Sequence, residues 1–565
     1  MKLLIDGREI IAREGQSLAD LCSILWPEPQ SFSDIPIAAQ IAGEVFNLNY
    51  IPSRNTAENT DRQSIRRAMA ASEGKITLLR YCDPAGRDVY TRTAQFGMFL
   101  ALHRLYPNAR VKMNCTVGRS LFVEVKTPDF SAGRLKAELQ SLITRDIPLL
   151  RRRTTTKAAG ERYAERGWLD KSRLLAWREA EYFDEYYFED FSDYYYGELA
   201  PSLSCLKVWD IIPAEGGFMF LFPEDVPPYA LSVHPDMPGF LRVSTEGERW
   251  CELMECETVA DLNELVKSGK IRELIRINEA LHEKRYAQVA DMVCARNAKA
   301  VMLAGPSSSG KTTSANRLAT QLRILGKKPI LMSLDDYYID RDLIPPEPDG
   351  TMDFEHIKTI DTELFREHLR QLMSGQTVSL PTFNFKTGKR EWNGHQLQMD
   401  DATVFIIEGL HALNPVLLPE GVDPNWVFRL YVSPLLPLNL DDHNRIPTSM
   451  LRLLRRTVRD FETRGASVQK TMSMWDSVRR GEKRWIFPYQ EGADVIFNSS
   501  TLYELAVLKK HIYPLLLAIP PEDPYYETVR GLVKVLNYVL EADVDDEIPP
   551  TSLVREFIGG NAFYK

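Results

Sequence analysis

The chain has 565 residues, 44% hydrophobic and 26% charged, with a net charge of -9. That length is too great for one hydrophobic core, so several domains are expected, and the acidic balance argues against a general nucleic-acid binder, which is not expected as a partner. The seven cysteines are scattered, with no second close pair beside Cys251 and Cys256 to build a zinc site, and no run of 18 apolar residues is present to span a membrane.

Reduced thiols and a charged N-terminus, Met1 to Gly7, set the expectation of a cytoplasmic protein. Residues 1 to about 75 read as a small mixed unit. Lys2 to Ile5 and Glu9 to Ala12 flank Asp6-Gly7, a hairpin signal, and a short helix starts at Ser17. Residues 76 to 225 form a second unit, with strands near Ile76 to Leu79 and Ser120 to Val125 and a helix from Thr91 to Leu105. The basic run Arg151-Arg152-Arg153 reads as a solvated loop. The acidic and aromatic run from Glu181 to Phe191 reads as core packing with a wet face, base stacking being the alternative. Residues 226 to 285 connect, with helical patterns at Asp261 to Val266 and Ile271 to Val293. Residues 286 to 510 alternate strand and helix, and 511 to 565 form a tail. In the tail Val529, Leu532, Val533, Leu536 and Leu540 share a face of one amphipathic helix, which either covers a core or meets a second copy of the chain.

The strands expected between 300 and 500 are Ala300 to Ala304, Pro329 to Ser333, Thr403 to Ile407, Val427 to Val432 and Ala493 to Phe497. Their continuous apolar character predicts a parallel sheet buried on both faces. The first breaks into Gly305-Pro306-Ser307-Ser308-Ser309-Gly310-Lys311-Thr312-Thr313, a G-x-x-x-x-G-K-T loop between strand and helix. Gly305 and Gly310 let the backbone wrap a polyphosphate, the helix N-terminus faces the anion, Lys311 reaches the β and γ phosphates, and Thr312 holds Mg²⁺. The helix is expected to end at Gly326.

Ligands in such folds bind beyond the carboxyl ends of the strands. Asp335 and Glu408 stand there, suited to take a proton from an attacking hydroxyl or to hold Mg²⁺. Arg452, Arg455, Arg456 and Arg459 recur at helical spacing, with Arg464 before Gly465. Only Asp460 and Glu462 are acidic there, so an arginine lid over a transferring phosphoryl group is expected. No N-K-x-D tetrapeptide follows Thr313, so ATP is the expected donor.

At these residues the chain resembles the uridine–cytidine kinase and phosphoribulokinase family, over about 300 to 500 and with six motifs in order. Beyond the loop, Ser333 to Tyr338 resembles S-x-D-x-F-Y, which implies that Asp335 is the catalytic base and that Tyr338 holds the acceptor. Asp353-Phe354-Glu355-His356 resembles N-F-D-H, which implies that Glu355 grips the ribose hydroxyls, with Phe354 also at the acceptor. Leu380 to Phe385 resembles I-P-x-Y-D-F, whose aromatics correspond to Phe383 and Phe385. Ile406 to Gly409 resembles F-E-G, and Arg459 to Gly465 resembles R-D-x-x-x-R-G, with Arg456 beside the acceptor and Arg459 and Arg464 in the lid. Three base-reading positions depart from the family. Its histidine falls at Gly388, its arginine at Ala466, and its glutamine near Met474.

The N-terminal half resembles other modules. Residues 1 to about 60 are similar to a TGS domain, a β-grasp fold, through Ala39 to Asn49. Residues 85 to 225 are similar to the second, editing-like α+β domain of threonyl-tRNA synthetases, through Leu102 to Ala109. The metal-binding pairs of that domain align with Arg92 and Phe96 and with Tyr195 and Leu199, none of which is a zinc ligand. The expected whole is a multidomain α/β and α+β protein with a C-terminal parallel-sheet kinase domain. The expected activity is ATP- and Mg²⁺-dependent phosphorylation of a nucleoside 5′-hydroxyl. The alternatives are another small alcohol (a sugar, polyol or vitamin-like acceptor) or an RNA-associated ATP-binding regulator.

Overall fold

The computed structural model describes residues 2–26, 31–51, 75–232, 237–344 and 353–563. Met1 and residues 52–60 of the TGS-like stretch lie outside them.

The first sheet is built from β1 (Lys2–Ile5), β2 (Arg8–Ile11), β3 (Ala38–Ile41), β4 (Glu44–Asn47) and β5 (Lys75–Leu79), with α1 (Leu18–Leu25) against it. Asp6 and Gly7 both adopt positive φ, 43° and 78°, as a two-residue hairpin turn requires. The strand order is β2-β1-β5-β3-β4. β5, expected to open the second unit, is instead the central strand of this sheet, parallel to β1 and antiparallel to β3. The boundary at 75 therefore cuts a hydrogen-bonded ladder and belongs after β5.

The second region begins with α2 (Pro84–Leu105), which starts before the expected Thr91. β6 (Arg110–Val117), β7 (Ser120–Lys126), α3 (Ala132–Thr144), β8 (Leu150–Thr155), α4 (Thr156–Glu165), α5 (Leu169–Leu175), β9 (Tyr182–Phe188), β10 (Phe191–Asp193), β11 (Asp210–Ala214) and β12 (Gly217–Leu221) follow. They make a four-stranded sheet, β11-β12-β7-β6, and a three-stranded sheet, β10-β9-β8. The basic run is a strand and not a solvated loop. Arg152 lies opposite Glu185 and Arg153 opposite Asp184 in the β8–β9 ladder, with ion pairs Arg152–Glu185 at 2.7 Å and Arg151–Asp184 at 2.5 Å. Opposite charges across a ladder stabilise it, so the arginine run and the acidic-aromatic run are each other's partners. Phe183, Tyr186 and Phe191 are buried, and Tyr182 faces solvent.

Three helices, α6 (Pro238–Leu253), α7 (Val259–Lys267) and α8 (Ile271–Ala295), lead into the parallel sheet. Its parts are β13 (Ala300–Ala304), α9 (Lys311–Ile324), β14 (Lys328–Ser333), α10 (Thr362–Met373), β15 (Thr403–Glu408), β16 (Val427–Ser433), β17 (Asn439–Asp441), β18 (Asn444–Arg445), α11 (Thr448–Arg464), α12 (Val468–Trp485), β19 (Val495–Asn498) and α13 (Glu504–Leu517). The order is β14-β15-β13-β16-β19 and every pairing is parallel. β13 is buried throughout. β14 is not buried on both faces as expected, because it is an edge strand: Leu331 is 42% exposed, and Pro329 is tolerated on such an edge. Gly326 closes α9 at φ +78°, with Lys327 N–H returning to Leu322 O.

The tail adds α14 (Tyr526–Leu536) and α15 (Arg555–Ile558). Val529, Leu532 and Leu536 are buried as expected, but the helix stops before Leu540 and Val535 joins the core. The apolar face of α14 meets this chain's own core, continuous from Tyr163 and Leu174 through Leu274 and Leu454 to Leu505, Leu532 and Phe557.

A buried polar hub also joins the halves. Lys171 donates to Asp193 at 2.8 Å and to Asp441 at 3.0 Å. His443 meets Asp193 at 2.6 Å and stacks on Phe99 at 3.7 Å, and the Tyr194 hydroxyl donates to Asp441 at 2.6 Å. Burial pushes the Asp193 carboxyl up, but Lys171 and His443 more than offset this and hold it at about 2.

Candidate active site

The phosphate loop needs its glycines for space as well as for angle. A Cβ at Gly305 would meet Val432 O at 2.1 Å, and one at Gly310, where φ is +85°, would meet Leu553 Cδ2 at 2.6 Å. Ser308 also takes positive φ, 59°. Ser307, Ser308 and Ser309, which follow Pro306, are fastened from behind. Arg452 Nη1 donates to Ser307 O and Arg455 Nη1 to Ser308 O, each at 3.4 Å, while Ser499 Oγ donates to Ser309 O at 2.6 Å. The Ser308 and Ser309 hydroxyls are buried without partners.

This corrects the expected arginine lid at Arg452 and Arg455. Arg452 pairs with Glu482 at 2.5 and 2.7 Å, and Arg455 with Glu504 at 2.7 and 3.0 Å, all four residues being buried. The partners missing from the local sequence arrive from α12 and α13. These two arginines hold the loop, and only the far end of α11 carries cations toward the cleft. There Asp460 gathers Arg456, Arg459 and Arg464 at 3.3, 3.0 and 3.3 Å. Arg456 Nη1 also donates to Ser307 Oγ at 2.8 Å.

The acids converge on the lysine. Lys311 Nζ donates to Pro306 O at 3.1 Å, and burial lowers its pKa against the opposing pull of Glu408 and Asp335. Asp335 sits in the turn after β14, where Ser333 Oγ accepts its N–H at 3.2 Å. Burial raises its pKa, Lys311 and Arg464 lower it, and the Tyr338 hydroxyl hydrogen-bonds to it. Thr312 Oγ1 donates to Glu408 Oε1 at 2.8 Å, and burial pushes the Glu408 carboxyl up to about 7. An adjacent hydroxyl and a desolvated carboxylate are hard oxygen donors that suit Mg²⁺, so these two residues fit that ion.

Glu355 is pushed up to about 7 by burial first and by Glu482 second, with Arg456 and Lys311 opposing. Its Oε2 is buried with no hydrogen-bond partner. Gly481 allows this approach, since a Cβ there would meet Glu355 Cβ at 2.2 Å. Tyr338, Phe383 and Phe385 form an edge-to-face cluster with centroids 5.2 to 6.3 Å apart. Phe354 stands apart from that cluster and is 52% exposed.

Three residues at the site escape a sequence reading. His411 is buried close to Glu355, and burial holds it down at about 4, so it is neutral; its place three residues after Glu408 was the available signal. Arg341 occupies the side of Gly388, where φ is +71° and a Cβ would meet Arg341 Cδ at 2.7 Å. A side chain at that position would require Arg341 to move and would carry the strain of a positive φ. Glu556, from α15, accepts from Thr313 Oγ1 at 2.6 Å and from Thr313 N at 3.4 Å, and Asn561 Nδ2 donates to Thr313 Oγ1 at 3.2 Å. Thr313 is therefore buried beneath the tail, and nothing in the local sequence announces that contact.

Residues 300–506 match the Phosphoribulokinase / Uridine kinase family. A uridine kinase of Brevibacillus brevis is 30% identical over 34% of this chain and 81% of its own length. A uridine kinase of Aliivibrio salmonicida is 30% identical over 39% of this chain and 95% of its own. A solved Bacillus stearothermophilus structure, described as a possible uridine kinase, is 19% identical over 38% of this chain and 97% of its own, with a TM-score of 0.27. With its phosphate loop, its strand-end acids and this extent of likeness, the chain belongs to the phosphoribulokinase / uridine kinase family of kinases.

Proposed function

We propose that the protein transfers the γ-phosphoryl group of ATP to the 5′-hydroxyl of a nucleoside. The observation that carries this reading is the half-buried Asp335 carboxyl, held by Tyr338 and coupled electrostatically to Lys311. Asp335 accepts the proton of the attacking hydroxyl, the role of a carboxylate at hydrogen-bond reach of its acceptor. Lys311 and the amides at the start of α9 bind the β and γ phosphates. Arg459 and Arg464, steadied by Asp460, face the charge that develops on the migrating group. Glu355, with its unpartnered oxygen, receives acceptor hydroxyls, and Tyr338, Phe383 and Phe385 supply a flat apolar wall. Thr312 and Glu408 would hold Mg²⁺, which when bound neutralises phosphate charge.

A second reading within the same chemistry is favoured by Gly388. The family's base-contacting histidine is replaced there by glycine, and the Arg341 side chain lies against it. An acceptor with a polar or anionic group in place of a pyrimidine edge would meet that guanidinium. The TGS-like and synthetase-like half is read as a scaffold joined to the kinase half through the shared core and the Lys171 hub. ADP release with Mg-ATP and a panel of nucleosides, sugars, polyols and vitamin-like alcohols tests the assignment. Turnover of a nucleoside at least tenfold above the other alcohols is expected, and no turnover of any nucleoside would transfer the activity to the second reading.

A further inference from the structure

A cavity of about 2140 Å³ lies where β4, α2, β8, β9, α13 and α14 meet, and no phosphate-loop residue lines it. Small-ligand sites usually occupy roughly 300–1,000 Å³, so a nucleotide with its water fits inside. Eight of the lining residues are tyrosines. The Tyr195 hydroxyl is buried there without a hydrogen-bond partner.

The cations of this cavity are unevenly matched. Arg530 takes Glu44 at 2.8 Å and Arg151 takes Glu198 at 2.7 Å. Glu198 is engaged a second time by the Tyr186 hydroxyl at 2.5 Å. Arg92 has only a carbonyl, donating from Nε to Glu198 O at 3.0 Å. Its guanidinium lies against Gly197, where a Cβ would meet Arg92 Cζ at 2.6 Å. Lys534, from α14, has no ionic or hydrogen-bond partner among the described residues. Burial lowers the pKa of both, with Asp88 the leading opposing charge at Arg92 and Glu527 at Lys534. Neither carboxylate hydrogen-bonds to these cations, so among the described residues the outer guanidinium nitrogens of Arg92 and the ammonium of Lys534 face the cavity without hydrogen-bond acceptors, which an added anion would supply. The positions aligned with lost metal ligands divide accordingly. Phe96 and Leu199 are core residues, while Arg92 and Tyr195 both line the cavity.

We infer that this cavity is a second ligand site, for a ribonucleoside 5′-monophosphate, with the phosphate between Arg92 and Lys534 and the base against the tyrosines. Aromatic rings stack any base through its π-face, and the unpartnered Tyr195 hydroxyl offers a hydrogen bond to the sugar or base. The inference does not depend on which alcohol the kinase site phosphorylates.

Isothermal titration of the full chain with AMP, CMP, GMP and UMP, and with the matching nucleosides, tests it. At least one monophosphate is expected to bind with one equivalent retained in Lys311→Ala. Binding is expected to fall at least tenfold in Lys534→Gln and in Arg92→Gln, to recover in part in Arg92→Lys, and to be at least tenfold weaker for the nucleoside. Thermal unfolding of each variant close to that of the parent certifies the fold. Monophosphate binding lost in Lys311→Ala but kept in Lys534→Gln would place the ligand in the kinase site and overturn the inference. So would millimolar or absent binding of all four monophosphates, or binding of a short RNA where free monophosphates do not compete.

Discussion

Two buried polar clusters of this molecule are built from the same residue types and behave oppositely. In the hub of Lys171, Asp193, Asp441 and His443, charges are matched at 2.6 to 3.0 Å, and Asp193 stays ionised at about 2. Around the phosphate loop, burial raises Asp335, Glu355 and Glu408 and lowers Lys311 and His411. There the Ser308 and Ser309 hydroxyls and a Glu355 oxygen lack partners. A cluster that only joins two halves can satisfy itself. On the proposed function, a cluster that receives phosphate, metal and alcohol leaves groups unsatisfied until they arrive.

The contrast breaks first at Asp335. Asp335→Asn is expected to keep ATP binding and to slow transfer by about 10²–10⁴-fold, read as single-turnover ADP release; normal turnover would remove Asp335 as the base. At the other cluster Lys171→Met leaves Asp193 and Asp441 buried without their cation. It should destabilise the protein by about 3–5 kcal/mol in urea unfolding, with kcat/KM of the folded fraction unchanged.

A smaller effect is expected at Glu556, whose carboxylate holds the Thr313 amide at the start of α9. Glu556→Gln should lower the KM for ATP about two- to fivefold, the range a charge at a helix N-terminus is worth. An unchanged KM would mean that the tail does not compete with the nucleotide.

The smallest effect concerns pH. Glu355 rises from an ordinary 4.5 to about 7 on folding, so the folded protein binds that proton more tightly than the unfolded chain. Its stabilising contribution is complete below 4.5 and is lost as pH rises through 7. The melting temperature of the ligand-free protein should fall between pH 5 and 8, and the fall should be smaller by roughly 2–4 °C in Glu355→Gln. An identical profile in the variant would mean that Glu355 ionises freely.

Much of the kinase half was legible. The five strands of the parallel sheet, the loop between Gly305 and Thr313 and the stop at Gly326 were readable because their requirements are local: apolar runs, positive φ and room for backbone approach. Arg452 and Arg455 of α11 were misread because their partners lie elsewhere. Arg455 finds Glu504 across 49 residues, and no spacing rule within a helix shows that. The run at Arg151 was misread for the same reason, since its complement sits on β9.

The amino-acid order alone determined that a glycine-rich turn joins a strand to a helix at Gly305 to Thr313 and that Asp335 and Glu408 stand at strand ends, because contiguous residues encode turns, caps and strand termini. Tertiary structure alone decided that β5 completes the first sheet, that Glu556 reaches Thr313 from 243 residues away, and that Arg92 and Lys534 share one cavity. Those outcomes depend on which distant surfaces bury each other, and burial is a property of the packed whole.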